Sequence, residues 1–326
     1  AFGAAAEPAV LKATRARAPS FADAEAVLAR LSATEATQRL AAAWIAGDGS
    51  DATLEALAAR PDALAVARAE AARVDGDLRF RAACLVARLG GAEAASTAAD
   101  GLRRPDRRRE AATALLTLGT REALIETARL VDGFDGFAGD GALREHVDLV
   151  AAARSVPDVG RRAAAAAART GRTSDRRRLL ILAGLSKDAA ARPEIERAAA
   201  DPEVRAAAFV ALGELGDPDA APFLARAVLR THDRSTRRSG VDALARLPGP
   251  KATAALASLL ASSADRDRAA ARLEARPDGP EALVDALNDP ATRAPAAAAL
   301  RELAGRSAPR GDDAAAWRRW LAGADR

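Results

Sequence analysis

Of 326 residues, 49% are apolar but only 3% are aromatic. The excess is alanine, which buries little surface per side chain, so stability must be summed over many close helix contacts rather than concentrated in one large core. The 49 basic residues nearly balance 45 acids for a net charge of +4, and no apolar run is long enough for a membrane-spanning helix.

Residues 1–20 carry Pro8, Pro19 and few large hydrophobes, and read as a loosely ordered leader ahead of a helical array over 21–304. The start at Ala1 fits either a trimmed initiator Met or a removed secretory signal; the Pro- and Ala-rich leader resembles the start of a mature secreted chain, so an extracytoplasmic, periplasmic location is the expectation over a cytoplasmic one. Trp44 is placed to close the first helix pair. Residues 77–83 open a capped, arginine-bearing helix on which Cys84 is expected as a small buried hydrophobe rather than a nucleophile. Residues 105–112 open another, carrying Arg107, Arg108 and Arg109.

The segment 132–141 breaks this rhythm. Its glycines and aspartates, with Phe134, Asp135 and Phe137, predict a long insertion whose two phenylalanines either fold back or contact a partner. The aspartates lack EF-hand spacing. His146 follows, distant in repeat count from His232, so the two histidines are not expected to share a metal.

The clearest unit spans residues 201–216. Asp201 reads as an N-cap and Pro202 as the first helical residue. Val204, Ala207, Ala208, Ala211, Leu212 and Leu215 form one apolar stripe, and Gly216 is the stop. Asp217 and Pro218 restart the pattern for a helix bearing Phe223, Leu224, Val228 and Leu229. Weaker copies begin at Asp233, Asp265 and Asp289. Together these give about eight or nine helix pairs at spacings of roughly 25 to 33 residues. The last predicted element, within 305–326, is a capping helix with Trp317 and Trp320 on one face.

Residues 201–224 resemble the short bacterial HEAT-like repeat, including the repeats of phycobilin lyases. Residues 312–321 are similar to the terminal helices with paired tryptophans that finish many such proteins. The resemblance implies an all-α, right-handed α-solenoid of HEAT-like helix pairs. It also implies concave second helices and a ladder of Asp and Arg side chains linking neighbouring repeats.

Only Lys12, Lys187 and Lys251 are lysines, so 46 of the 49 basic residues are arginine. This balance reads chiefly as solvated and ladder-forming pairs and disfavours nucleic acid as a partner. There is no serine-hydrolase elbow, Walker loop, zinc-protease helix or dinucleotide fingerprint, and no catalytic residue, metal or cofactor is expected. The expected function is that of a non-catalytic protein–protein interaction scaffold, or an accessory subunit of a larger complex. Candidate partner-binding residues are Phe134, Asp135, Phe137, Arg107, Arg108, Arg109, Arg177, Arg205 and Arg238. Two alternatives follow from resemblance. One is a DNA-binding or alkylation-repair protein, for which the chain is short of aromatics, and the other is a tetrapyrrole lyase or chaperone.

Overall fold

The computed structural model describes residues 34–132 and 146–324. The leader 1–20 and the candidates Phe134, Asp135 and Phe137 lie outside these residues. Among the described residues, regular structure consists of nineteen α-helices and seven short 3-10 turns, with no strand. The fold is all-α. Residues 34–130 with 155–157 form one compact unit, and residues 131–132, 146–154 and 158–324 another. The division at 130/131 abuts the glycine-rich segment that interrupts the repeats in sequence.

The first unit contains α1 (Thr34–Ala46), α2 (Asp51–Ala58), α3 (Ala63–Ala71), α4 (Gly76–Arg88), α5 (Ala95–Asp100), α6 (Arg108–Leu118) and α7 (Arg121–Ala128). Leu40, Ile45, Leu57, Val66, Leu85 and Val86 form its buried core around α1 to α4, with Trp44 half-buried against it. Ser50 caps α2 in a reciprocal box with Thr53, and Thr120 caps α7 through the Ala123 amide.

The second unit contains α8 (Val147–Ser155, its last residue assigned to the first unit), α9 (Val159–Ala168), α10 (Thr173–Leu185), α11 (Arg192–Ala198), α12 (Arg205–Leu215), α13 (Ala221–Arg230) and α14 (Arg234–Arg246). These are followed by α15 (Pro250–Ser258), α16 (Arg266–Glu274), α17 (Gly279–Ala286), α18 (Arg293–Ala304) and α19 (Ala314–Ala324). Successive packing of α10, α12, α14, α16 and α18 makes one layer. Helices α9, α11, α13, α15, α17 and α19 lie behind it as a second layer. Each helix pair therefore buries its apolar surface only by stacking on its neighbours, which is the physical basis of a repeat solenoid.

The unit at 201–216 shows where local pattern and packing part. Asp201 does not cap the helix, because its carboxylate accepts from the Glu203 amide in a preceding turn, and α12 starts at Arg205. Gly216 ends the helix in the left-handed region at φ 75°, as the stop signal requires. All six stripe residues are buried, but so are Phe209, Val210, Gly213 and Glu214. The single stripe becomes an almost wholly enclosed helix because α10 and α14 flank it while α11 lies behind. On α13, Leu224 and Val228 are buried whereas Leu229 is 49% exposed.

Small residues set the layer spacing. A methyl on Gly184 of α10 would strike the Ala211 carbonyl oxygen of α12, and one on Gly213 would lie 2.8 Å from the Ala243 Cα of α14. Neither neighbour is a flexible side chain, so the helices themselves would have to separate. Gly184→Ala is expected to destabilise the second unit by about 1–3 kcal/mol despite alanine's better helix propensity, as measured by urea unfolding. A neutral or stabilising outcome would show that this close approach is not required.

Candidate partner-binding surface

Arginines at the starts of the first-layer helices have a shared local job. Arg205 Nε donates to the Ala199 carbonyl at 2.8 Å, and Arg293 Nε to that of Leu287 at 2.8 Å. Arg237 reaches Thr231 at 3.3 Å, and in the first unit Arg108 Nε reaches Leu102 at 3.0 Å. All four span six residues, from the first turn of one helix back to the end of the preceding one. Carbonyls at a helix C-terminus have no intrahelical donor and carry partial negative charge, so a guanidinium satisfies them twice over. Arg205 extends the clasp to Ala200 at 2.8 Å.

A second set of ion pairs links neighbouring repeats. Arg176 pairs with Asp201 at 2.7 Å and Arg192 with Asp217 at 2.8 Å. Arg237 pairs with Asp265, Arg246 with Glu214, and both Arg268 and Arg272 with Asp242. In the first unit Arg107 pairs with Asp77 and lies 5.0 Å from the Phe80 ring centroid. Asp242, Asp265 and Glu214 are buried, so their compensation by arginine is required for stability. The ladder departs from expectation at Asp233, which caps its own helix by accepting from the Thr236 amide at 2.6 Å.

One motif escaped the sequence reading. Thr37 donates to Asp62 at 3.0 Å while accepting from Arg60 Nε at 2.7 Å. Thr253 donates to Asp278 while accepting from Arg276 Nε at 2.9 Å. The two triads lie in different units but share their spacing, and the signal was present as Ala-Arg-Pro-Asp at 59–62 and again at 275–278. Arg276 also donates to the carbonyls of Ala245 (3.2 Å), Leu247 (2.9 Å) and Gly249 (3.3 Å), with only 11% of its side chain exposed.

The candidate arginines thus sort by environment. Arg107, Arg108 and Arg205 are held by internal partners, and Arg177 donates to the Glu203 carbonyl at 2.8 Å across to the next repeat. Arg238 is exposed beside His232 and Arg234. Arg177, Arg205 and Arg238 stand on successive first-layer helices, α10, α12 and α14. Arg109 is exposed in a groove of the first unit with Asp51, Glu55, Arg88 and Glu110. Burial pushes the Glu110 carboxyl above its usual value, opposed by Arg81, Arg88 and Arg107. Sequence reasoning passed over Glu110 because nothing local distinguishes it from other surface glutamates.

Cys84 is fully buried on α4, and burial pushes its thiol far up, reinforced by the Glu110 charge. Cys84 is expected to resist a thiol-exchange reagent at pH 8 until the first unit unfolds, so its labelling rate should follow denaturant concentration. Fast labelling of the native protein would contradict its inert placement. His146 is half-buried just before α8 and His232 is exposed just before α14. No group of three or more His, Cys, Asp or Glu suited to a metal exists among the described residues, nor is any described helix long and apolar enough to cross a membrane.

Trp317 is completely buried on α19 and donates from Nε1 to the Gly311 carbonyl at 3.2 Å. Trp320 sits edge-on to it at 5.7 Å between ring centroids and donates to the Ser307 hydroxyl. The pair packs α19 onto α17 at the end of the second layer.

No curated protein matches the chain in sequence. The family model for HEAT repeats matches residues 191–276, which run from the start of α11 just past the end of α16. That stretch includes three of the first-layer helices and the ion pairs that join them, so over the middle of the second unit the chain is similar to HEAT repeats.

Proposed function

We propose that the protein is a non-catalytic scaffold or accessory subunit that holds another protein along the first-layer helices of its second unit. The observation that carries this reading is the use made of buried charge. Asp242, Asp265 and Glu214 are each taken up by arginines of an adjacent repeat, so the polar machinery maintains a continuous helical surface rather than a reacting centre. The exposed parts of α10 and α14, with Arg177 and Arg238, then face the partner, and the 132–141 segment contributes Phe134, Asp135 and Phe137. Extended repeat surfaces offer contact area of the kind specific protein interfaces need, with apolar anchors supplied by phenylalanine.

The test is native purification from the source organism with mass spectrometry of co-eluting chains, repeated with Arg177→Glu/Arg238→Glu and with residues 133–139 replaced by a Gly-Ser turn. A partner retained by the wild type and lost from either variant supports the reading. A chain that elutes alone, with both variants indistinguishable from wild type, overturns it.

A further inference from the structure

Between the N-terminal ends of α14 and α16 lies a cleft of about 430 Å³, within the size range of small-molecule sites. Its floor is the pair Arg237–Asp265. Arg237 also donates to the Ser262 hydroxyl at 2.8 Å and to the Thr231 carbonyl, so this guanidinium is fixed and has little capacity left for a ligand. Arg268, on one wall, is committed to Asp242.

The remaining polar lining is different. Arg234, Arg238, His232 and Ser263 have no hydrogen-bond or ion-pair partner among the described residues, although all four carry N–H or O–H groups. Away from the cleft, Arg205, Arg272 and Arg293 of the first layer close on carbonyls or carboxylates. Here two guanidiniums, an imidazole and a hydroxyl meet around one concavity with their donors unused. Such a set is complementary to a compact group with several acceptor oxygens and more than one negative charge.

We propose that this cleft binds a phosphomonoester group, with Arg234 and Arg238 taking its oxygens and His232 and Ser263 completing the shell. Asp267, also on the cleft and unpaired among the described residues, and Asp233 beside it limit the positive region to a single anionic group. A polyanion such as nucleic acid would extend past that region onto carboxylates. The same chemistry serves a free small phosphate compound and a phosphorylated side chain presented by a protein, and the experiment separates them. The site concerns the isolated chain and stands whether or not the scaffold reading holds.

The probes are inorganic phosphate, a short phosphoserine peptide, its unphosphorylated counterpart and single-stranded DNA. Each is titrated by calorimetry into the full chain at low salt. Wild type is expected to bind phosphate and the phosphopeptide but not the plain peptide. Equal affinity for the two assigns a free phosphate compound as ligand, and tighter peptide binding assigns a phosphorylated side chain. Arg234→Gln and Arg238→Gln are each expected to weaken binding about tenfold or more, the loss of one charge-assisted bond. Asp267→Asn is expected to strengthen it severalfold, the opposite of what damage to the fold would do. Urea midpoints confirm that all three variants remain folded, which their exposed positions predict. No binding by wild type, binding undiminished in both arginine variants, or DNA binding far above phosphopeptide and lost with the same variants would overturn the proposal.

Discussion

Replacing Arg276 with alanine is expected to lower the unfolding free energy of the second unit by about 1–3 kcal/mol, the range for leaving part-buried polar groups without their donor. The guanidinium joins the end of α14, Thr253 of α15 and Asp278 ahead of α17. Its loss leaves three carbonyls and a carboxylate short of donors. Arg276→Lys should recover little, because one ammonium does not reproduce the fork of a guanidinium.

The same network has a pH signature. Burial pushes the Asp278 carboxyl up, but the bonds from Thr253 and Arg276 more than offset that and hold it below the usual aspartate value. A carboxyl depressed in the folded state contributes stability above its unfolded pKa, and that contribution is lost as pH falls through the folded one. Wild type is therefore expected to lose part of its urea resistance on acidification below the ordinary aspartate range, while Arg276→Ala shows a smaller acid-side loss. A variant within 1 kcal/mol of wild type at pH 7 would mean that water replaces the guanidinium at little cost.

The second large effect is expected at the C-terminal helix. Trp317→Ala should cost about 3–5 kcal/mol, the usual range for truncating a fully buried large aromatic side chain. It also removes a hydrogen bond to Gly311 and the edge-on contact with Trp320. Trp320→Ala, at a half-buried site, should cost far less. Denaturant unfolding measures both, and hydrogen exchange should show α17 losing protection in the Trp317 variant as its covering helix detaches. Equal effects from the two substitutions would assign the pair a role other than sealing the stack.

Sequence made the helical class plain because its signals are local: Gly216 stops α12 where expected, and the stripe of Val204 to Leu215 is buried throughout. What sequence left open depends on neighbours. Asp201 carries every mark of an N-cap, yet its carboxylate serves the turn and the charge of Arg176. Leu229 continues an apolar pattern but faces solvent, because no described element covers that side of α13. The arginines were the hardest to read. Arg205, Arg237 and Arg238 look alike along the chain, and only packing separates a clasp to a carbonyl from a guanidinium left open. Glu110 owes its raised carboxyl chiefly to burial, and the two threonine triads join residues 23 and 25 positions apart, beyond any local window.

The six-residue clasp carries a consequence for ancestry. It closes within a single junction, whereas the cross-repeat pairs close over 25 to 32 residues, about one repeat each. Duplicating or deleting one whole repeat therefore joins like ends to like ends. Each clasped junction keeps its own arginine, and a ladder acid meets the arginine of whichever neighbour is newly adjacent. A cut through a junction instead strands a carbonyl on one side and a guanidinium on the other. The wiring thus permits such an array to lengthen or shorten by whole units across generations and penalises fractional steps.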